Sequence, residues 1–423
     1  MLPMNLSYTH TSKNMVKLKA QMENQITKIF AEEIKDSRGN PTIKVTVWIG
    51  NASGSFSVPS GASTGAHEAH VIENNKAISN VNEIIAPALI GKDVLNQKEI
   101  DKIMIKLDGT QNKDILGGNS MIGVSIACAK AAAKVGGIET FEYLQTLMEI
   151  KPSRKAPYLF MNLLEGGKHA HNGYGLAFQE YHIVPKTDDA KEAVDVGIKV
   201  INTLKEMLKE LNNGIVDSGD EGGLAPRTGD IRSPLEYLKE ALRKNNLQDK
   251  VYLALDVAAS SFFENNLYKV DKKDIFKEDL LNIYNSLIQE FNLFSIEDPF
   301  DEEDFEDFAK LKKQNQNLFV VGDDLTVSNK ELLHKAIEYG SINAMIIKPN
   351  QIGTLLETLE TMKLARENNI EIIVSHRGEE TNDDFIADLA YAFGCFGLKA
   401  GAPTKPERMV KYERLIKIIS IRK

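Results

Sequence analysis

The sequence predicts an α/β protein with a C-terminal (β/α)8 barrel of the TIM-like type behind a smaller N-terminal α+β domain. Short apolar runs that end on ionisable residues recur in the second half of the chain, for example in VYLALD, FVVGDD and AMIIKP. Buried parallel strands have this composition, and α/β barrels carry their chemistry at the carboxyl ends of such strands. Residues 26–60 instead alternate with period two between the turns DSRGNP and NASG, which predicts a three-stranded antiparallel meander. We place the N-terminal domain at residues 25–150 and the barrel at residues 151–423.

Composition excludes several classes of protein. The 423 residues are 42% hydrophobic and 26% charged, with a formal net charge of -9. The sequence has no basic patch interleaved with aromatic residues, the pattern that would indicate nucleic-acid binding. It also has no apolar run long enough to predict a membrane span. The two cysteines, Cys128 and Cys395, stand in apolar surroundings and are predicted to be buried and unpaired. This favours a reducing, cytoplasmic location.

The first residues differ from the rest of the chain. Residues 1–24 contain lysines among Ser, Thr and Asn, and they have neither the apolar core of a secretory signal nor the arginines of a transit peptide. We interpret this segment as a disordered extension, or as sequence upstream of a true start at Met22.

The elements follow in a simple order. After the meander, the segment Ser60 to Ala69 reads SGASTGAHEA, which is either a surface loop or a flap over a site. A helix rich in small residues is predicted from Asn119 to Val135, ending at Gly136. From Ala156 strands and helices alternate, and the helix from Lys191 to Leu211 has one apolar face, typical of a helix that covers a barrel.

Ionisable residues end the predicted barrel strands. They are Asp256, Glu297, Asp323, Lys348, His376, Arg377 and Lys399. The carboxyl ends of barrel strands converge on one mouth, so we expect these side chains to meet there. Three acids in one place indicate a divalent metal ion, and a lysine beside a metal indicates proton abstraction.

Eleven short motifs occur in one order along the chain and together resemble the enolase (phosphopyruvate hydratase) family over residues 26–418. They are DSRGNPT, SGASTG, LDGT, GDEGG, ALDVAAS, IEDP, VGDDL, IKPNQIGT, SHR, FIADLA and a C-terminal KAGAP followed by ER and KY. Single motifs of this length occur by chance, whereas their order and spacing are specific.

The resemblance implies the reversible dehydration of 2-phosphoglycerate to phosphoenolpyruvate. Asp256, Glu297 and Asp323 match the ligands of a first Mg²⁺, whereas Ser63 in the flap matches a ligand of a second Mg²⁺ that arrives with substrate. The intermediate of this reaction carries two negative charges on one carboxyl group, and the cations would stabilise it.

The resemblance also assigns the proton-transfer groups. Lys348 matches the general base, and its pKa must then be lowered by burial and nearby positive charge. Glu221 matches the general acid, with Glu180 close enough to help keep one of the two protonated. Asp298 and Asp324 adjoin metal ligands, but strand alternation predicts that they point to the other side.

The remaining matches concern substrate. His376 and Arg377 match phosphate and substrate contacts, His376 with a catalytic role, and Lys399 matches a contact to the substrate carboxylate. His169 matches a loop histidine that closes on the substrate, and Gln179 a polar residue next to it.

Four positions depart from the family pattern. A serine after the His-Arg pair is replaced by Gly378, and Glu379 adds negative charge next to it. The NGG loop of the family reads EGG, with Glu165, and Ser261 stands where a glutamate is usual. The run between His169 and Gln179 is two residues longer than usual.

The subunit contacts of the family also look altered. A homodimer is implied, in which two ion pairs join an N-terminal strand to the C-terminal region. The matching positions hold Glu32 with Glu407 and Lys44 with Lys417, which are like-charge pairs. We expect a homodimer whose association is weakened or rearranged.

Three functions remain open at this point. The first is a working, Mg²⁺-dependent enolase of glycolysis and gluconeogenesis, and the second is an enolase-like protein with little turnover that is retained for binding. The third is another barrel enzyme of the superfamily, such as a racemase or cycloisomerase, which the GDEGG, SHR and Ser63 segments argue against.

Overall fold

The computed structural model describes residues 24–61 and 68–422. Residues 1–23 of the predicted extension and the predicted metal ligand Ser63 lie outside the described residues. The chain divides into two compact units at residues 58/59, 68/69 and 147/148, with the short segment Gly353–Leu356 grouped with the first unit. Of the segment between the two units, the described residues 59–61 and Glu68 belong to the second unit together with the barrel.

The first unit contains the predicted meander. Strands β1 (Lys28–Lys35), β2 (Pro41–Ile49) and β3 (Ala52–Ser57) pair antiparallel in the order β1-β2-β3. The inward-facing side chains of β2 are fully buried. Helices follow: α1 (Asn74–Ser79), a π-helical turn (Asn80–Ile85), α2 (Ala86–Leu89), α3 (Gln97–Asp108), α4 (Gly118–Gly136) and α5 (Thr140–Leu147).

Small residues let α4 approach the meander closely. A Cβ atom at Gly54 of β3 would lie 2.2 Å from the backbone nitrogen of Ala131 in α4. Only glycine is compatible with this contact at position 54. The Cys128 side chain in α4 is buried and free, as is Cys395 in the second unit.

Glu32 and Lys44 lie opposite each other in the meander. They are direct cross-strand partners in the β1–β2 register, and their charged atoms are 3.9 Å apart. Each of these half-exposed side chains therefore has an opposite charge beside it within the same chain.

The second unit is a closed barrel, which confirms the predicted fold class. Its strands are β4 (Tyr158–Glu165), β5 (Glu180–Pro185), β8 (Val251–Asp256), β12 (Ser295–Glu297), β13 (Phe319–Gly322), β14 (Ala344–Ile347), β15 (Glu371–Ser375) and β16 (Gly397–Lys399). A β16–β4 pairing closes the sheet. One strand differs from the parallel arrangement, because β5 runs antiparallel to both β4 and β8.

Shorter strands and helices complete the second unit. The strands are β6 (Asp217–Ser218), β7 (Leu224–Ala225), β9 (Phe263–Glu264), β10 (Leu267–Val270) and β11 (Lys273–Ile275). The α-helices are α6 (Ala190–Leu211), α7 (Ser233–Lys244), α8 (Lys277–Phe291), α9 (Phe305–Gln314), α10 (Lys330–Tyr339), α11 (Leu355–Glu367), α12 (Phe385–Ala392) and α13 (Pro406–Arg422); the first two residues of α11 are grouped with the first unit.

The two ends of the barrel differ in chemistry. Aromatic side chains pack together at the amino ends of the strands, where Tyr252 and Phe294 stack at 4.2 Å between ring centroids and Phe319 and Phe396 lie at 4.6 Å. Apolar residues such as Ile346 fill the interior above them. The polar and charged residues therefore lie at the opposite end of the barrel, at the carboxyl ends of the parallel strands.

Among the described residues, no single helix has the length and apolar composition needed to cross a membrane. Helices α4 and α5 meet that criterion only as a pair, and they are bent by 108° at the break between them.

Candidate active site

A strongly charged cavity of about 250 Å³ lies at the carboxyl ends of the parallel barrel strands. It is lined by Gly61, Glu68, Lys168, His169, Gln179, Glu180, Glu221, Asp256, Ala258, Ser260, Ser261, Asp298, Glu302, Asp323, Asp324, Lys348, Gln351, Ser375, His376, Arg377, Gly378 and Lys399. The predicted site residues that the structure describes are thus brought together. Glu297 is not part of the cavity lining, but it forms an ion pair with Lys399, which is.

Lys399 connects the acids of neighbouring strands. Asp256 and Glu297 are register neighbours on β8 and β12. The Lys399 Nζ atom lies 2.6 Å from Asp256 Oδ2, 2.8 Å from Glu297 Oε1 and 3.4 Å from Glu180 Oε2. Burial lowers the pKa of the Lys399 amine, but the Asp256, Glu180 and Glu297 carboxylates outweigh it and raise the pKa well above its usual value.

Lys348 and Asp323 form a second buried ion pair, since the Lys348 amine donates to Asp323 Oδ2. Burial lowers the pKa of Lys348, but the Asp323 charge more than offsets it, so the net pKa is raised rather than lowered. The lowering expected from the sequence depends on nearby positive charge, whereas the nearest charged neighbour of Lys348 in the structure is an acid, so the lowered pKa stays a prediction.

The acids fit a divalent cation. Asp323 Oδ1 is buried and has no hydrogen-bond partner among the residues that the structure describes. Burial and the neighbouring Asp256 charge raise the pKa of Glu297 well above its usual value. Mg²⁺ prefers carboxylate oxygens, and a cation here would satisfy the unpaired oxygen and offset the repulsion between the acids.

Asp298 and Asp324 also line the cavity, so the prediction that they point away is wrong. Asp298 adopts a φ of +42°, which breaks the alternation of the strand before it. Its carboxylate accepts the amide hydrogens of Asp323 at 2.9 Å and Asp324 at 2.7 Å. Asp298 thus orients the turn that carries Asp323.

Glu221 lies on the turn between β6 and β7 and is 3% exposed. Its Oε2 atom is 3.2 Å from His376 Nε2 and accepts a hydrogen bond from Asn162 at 3.3 Å. Burial raises the pKa of Glu221, but the His376 and His169 side chains outweigh this effect and hold the pKa well below its usual value.

Glu180 begins the antiparallel strand β5 and faces Asp256 in register. Burial and the Glu221 charge raise the pKa of Glu180 well above its usual value. His182 Nε2 lies 2.7 Å from Glu180 Oε2, and His169 Nδ1 lies 3.4 Å from Oε1. The pKa values of the two acids are therefore shifted in opposite directions, that of Glu180 upwards and that of Glu221 downwards.

Arg377 is held by an acid that the sequence analysis did not single out. Its guanidinium donates to both carboxylate oxygens of Glu68, at 3.0–3.3 Å, and to Asn350 Oδ1 at 3.1 Å. Glu68 lies three residues after the end of the SGASTG motif, and this position was its only sequence signal. A phosphate that binds Arg377 has to share or displace this carboxylate.

Arg408 is a second residue missed in the sequence. From α13 it donates to the carbonyl oxygens of Arg377 and Gly378, both at 2.8 Å, and it contacts His376 Nδ1. Arg408 is fully buried and fixes the His-Arg turn. Arg408 belongs to the ER element of the C-terminal motif. Its partners lie about thirty residues earlier in the chain, and contacts over that separation leave no local sequence pattern.

The altered positions lie in or near the cavity. Gly378 and Ser261 line it, whereas the backbone of Glu379 pairs with Ser60 through hydrogen bonds of 2.9 and 3.0 Å. Glu165 lies at the end of β4, opposite Glu180 in register.

The closed barrel, with acids and amines gathered at one mouth, defines a barrel enzyme, and comparisons with known proteins specify the family. Residues 26–144 match the family model "Enolase, N-terminal domain", and residues 154–420 match "Enolase, C-terminal TIM barrel domain". The chain belongs to the enolase family, a family of lyases.

Curated relatives agree with this assignment. The chain is 44% identical to the enolase of Methanocaldococcus jannaschii, with 93% of this chain and 95% of the relative covered. It is 42% identical to the enolase of Methanococcus aeolicus (93% and 94% covered) and 40% identical to that of Corynebacterium kroppenstedtii (93% and 95% covered).

Acid stability should depend on the neutral His182. Burial and the Lys399 charge lower the pKa of His182 to about 3 in the folded chain, against about 6.5 in the unfolded chain. The unfolded state therefore binds more protons below pH 6.5, and stability is lost as the pH falls from there towards 3. In His182→Gln this loss should be smaller by about 4–5 kcal/mol over that whole range, since the pKa is lowered from about 6.5 to about 3 and one pKa unit corresponds to 1.36 kcal/mol. Urea denaturation at several pH values measures the difference, and equal slopes for both proteins would contradict a neutral buried His182.

Proposed function

We propose that this protein catalyses the reversible, Mg²⁺-dependent dehydration of 2-phosphoglycerate to phosphoenolpyruvate, with Lys348 as general base and Glu221 as general acid. Membership of the enolase family supports this activity. The observation that carries the residue assignment is the convergence of three acids, two amines and the Glu221–His376 pair around one cavity. A role in glycolysis or gluconeogenesis and a cytoplasmic location are parts of the same proposal.

Asp256, Glu297 and Asp323 would hold one Mg²⁺, and Ser63 matches a ligand of a second that arrives with substrate. When bound, the ions would supply positive charge beside the doubly negative carboxyl group of the intermediate. Lys399, which is surrounded by these acids, would contact the substrate carboxylate.

Lys348 must be uncharged to accept the hydrogen on the carbon next to the carboxylate. Its amine is buried, which favours the neutral form, and Asp323 is the group that opposes it. Any cation that engages Asp323 weakens this opposition, so metal binding and base activation act on the same carboxylate.

Glu221 must be protonated to assist departure of the hydroxyl group and ionised to activate water in the reverse direction. The low pKa of Glu221, caused by His376 and His169 against the effect of burial, matches the reverse direction. The pKa of the nearby Glu180 is shifted the other way, upwards. His169 and Gln179 line the same part of the cavity, where we place the leaving hydroxyl group.

The phosphate group would bind at the His376–Arg377 turn. Arg377 presents a guanidinium fork, which matches phosphate oxygens, and Gly378 lines the cavity beside it. Because Glu68 already occupies the fork, an enolase-like protein with low turnover is the alternative that this contact favours.

Lys348→Ala should lower kcat for phosphoenolpyruvate formation by about 10³-fold, as expected for loss of a general base. EDTA should abolish turnover of the wild-type protein, and Mg²⁺ should restore it. The matched control is Lys330→Ala, which removes an exposed lysine on α10 and should change neither kcat nor KM. A folded wild type that binds Mg²⁺ without turnover would support the low-turnover alternative, and turnover that survives Lys348→Ala would remove this lysine from the mechanism.

Gly378→Ser should lower KM for 2-phosphoglycerate. The added hydroxyl group supplies a donor at the proposed phosphate position, and such a hydrogen bond to a charged group contributes about 1.5–3 kcal/mol, or roughly tenfold or more in KM. Steady-state kinetics of the two proteins measure it. An unchanged KM would mean that phosphate does not bind beside this position.

We further propose a homodimer with weakened or rearranged association. Glu32 and Lys44 face each other within one chain, so neither needs a partner-chain charge. Sedimentation velocity between about 0.05 and 0.5 M salt should show dissociation already at a higher protein concentration than for a dimer with complementary pairs. A tight dimer at all salt concentrations would contradict the weakening.

A further inference from the structure

The carboxyl group of Glu165 is enclosed by the turn that carries Glu221. Glu165 is fully buried. Its Oε1 atom accepts the Gly223 amide hydrogen at 2.6 Å, and the Glu221 amide is shared between Oε1 at 3.2 Å and Oε2 at 3.1 Å. Both carboxyl oxygens are thus acceptors for the backbone of one short turn.

The turn is shaped to accommodate this group. A Cβ atom at Gly219 would lie 2.1 Å from Glu165 Oε2, and one at Gly223 would lie 2.8 Å from Oε1. A side chain at either position would collide with the carboxyl group, so these two of the three glycines of the GDEGG motif make room for it. The Gly219 amide also donates to the Gly223 carbonyl oxygen at 2.9 Å and closes the turn.

We propose that Glu165 is a positioning residue for Glu221, because its carboxyl group fixes the turn that directs the Glu221 side chain at His376. The inference rests on the proposed function, in which Glu221 is the acid. Glu165 affects the reaction only through Glu221. Its position at the end of β4 makes the support rigid, since β4 pairs with β5 and β16 in the barrel.

Charged groups surround Glu165 on several elements. Glu221 stands on the turn itself, Glu180 on β5 and Arg408 on α13, and Lys405 donates to the turn at the Asp220 carbonyl oxygen. Burial and the Glu221 charge raise the pKa of Glu165 to about 8, against the lowering by the two amides and Arg408. Its ionisation therefore falls within the range where activity can be measured.

The test compares wild type with Glu165→Gln, which retains one acceptor oxygen, and Glu165→Ala, which retains none. Amide hydrogen exchange read at Glu221 and Gly223 should accelerate by about tenfold or more in Glu165→Ala and by less in Glu165→Gln. Dehydration should fall about tenfold in kcat with KM within about twofold in Glu165→Ala. Exchange of the substrate carbon-bound hydrogen with deuterium from solvent, which requires only the base, should remain.

Asp108→Asn is the matched control. Asp108 is a buried carboxylate in the first unit that accepts the amide hydrogens of Ile115 and Leu116 at 3.1 and 2.7 Å. Its replacement should lower stability without changing the Glu221 and Gly223 amides or either kinetic readout. Wild type and Asp108→Asn should share an inflection near pH 8 in kcat that Glu165→Gln lacks.

Two outcomes overturn the inference. Amides of Glu221 and Gly223 that exchange as slowly in Glu165→Ala as in wild type would show that the carboxyl group does not hold the turn. Equal losses of dehydration and of carbon-hydrogen exchange would show general damage rather than misplacement of the acid. A wild type without either activity would instead refute the proposed function, while the amide measurement would still decide whether Glu165 positions the turn.

Discussion

The site depends on neutralising a group of buried carboxylates. A buried acid without a partner is costly, and an ion pair offsets that cost only when its geometry is good. Lys399 meets this requirement by lying within 3.4 Å of Asp256, Glu297 and Glu180. The supply of cations nevertheless falls short, since one oxygen of Asp323 is left unpaired among the described residues. The excess of negative charge at the barrel mouth is the physical reason to expect a metal ion there.

The barrel brings these buried carboxylates next to one another. Asp256 and Glu297 meet because they occupy paired positions at the ends of neighbouring parallel strands. Glu180 joins them only because β5 is antiparallel, which places the first residue of β5, rather than its last, at the mouth. An antiparallel strand therefore extends the site with two residues, Gln179 and Glu180, that a wholly parallel barrel would place at the opposite, aromatic end.

The sequence predicted the barrel and the residues at its mouth because a charged residue at the end of an apolar run can be recognised whatever the exact boundaries of the strand are. It did not predict the direction of β5, although the connection from β4 holds only a single 3-10 turn at Gly167–His169 and lacks the helix that a parallel crossover requires. It misplaced Asp298 because alternation stops applying once φ becomes positive. Arg408 and Glu68 were missed because their contacts join segments remote in sequence, and no local period records such contacts.

Arg408 also determines what His376 can do. Its guanidinium can only donate, so His376 Nδ1 acts as the acceptor, and the remaining hydrogen of the neutral ring lies on Nε2. Burial, together with the Arg408 charge and against the effect of Glu221, lowers the pKa of His376 to about 4, which keeps the ring neutral near pH 7. The Nε2 hydrogen then points at Glu221 Oε2 across 3.2 Å and stabilises the ionised acid. In the proposed mechanism, an ionised Glu221 is the form that would activate water. In the opposite direction of the proposed reaction Glu221 would have to gain a proton against this hydrogen bond, and Glu180, whose pKa is raised, has a carboxylate oxygen within 4.8 Å of one of Glu221.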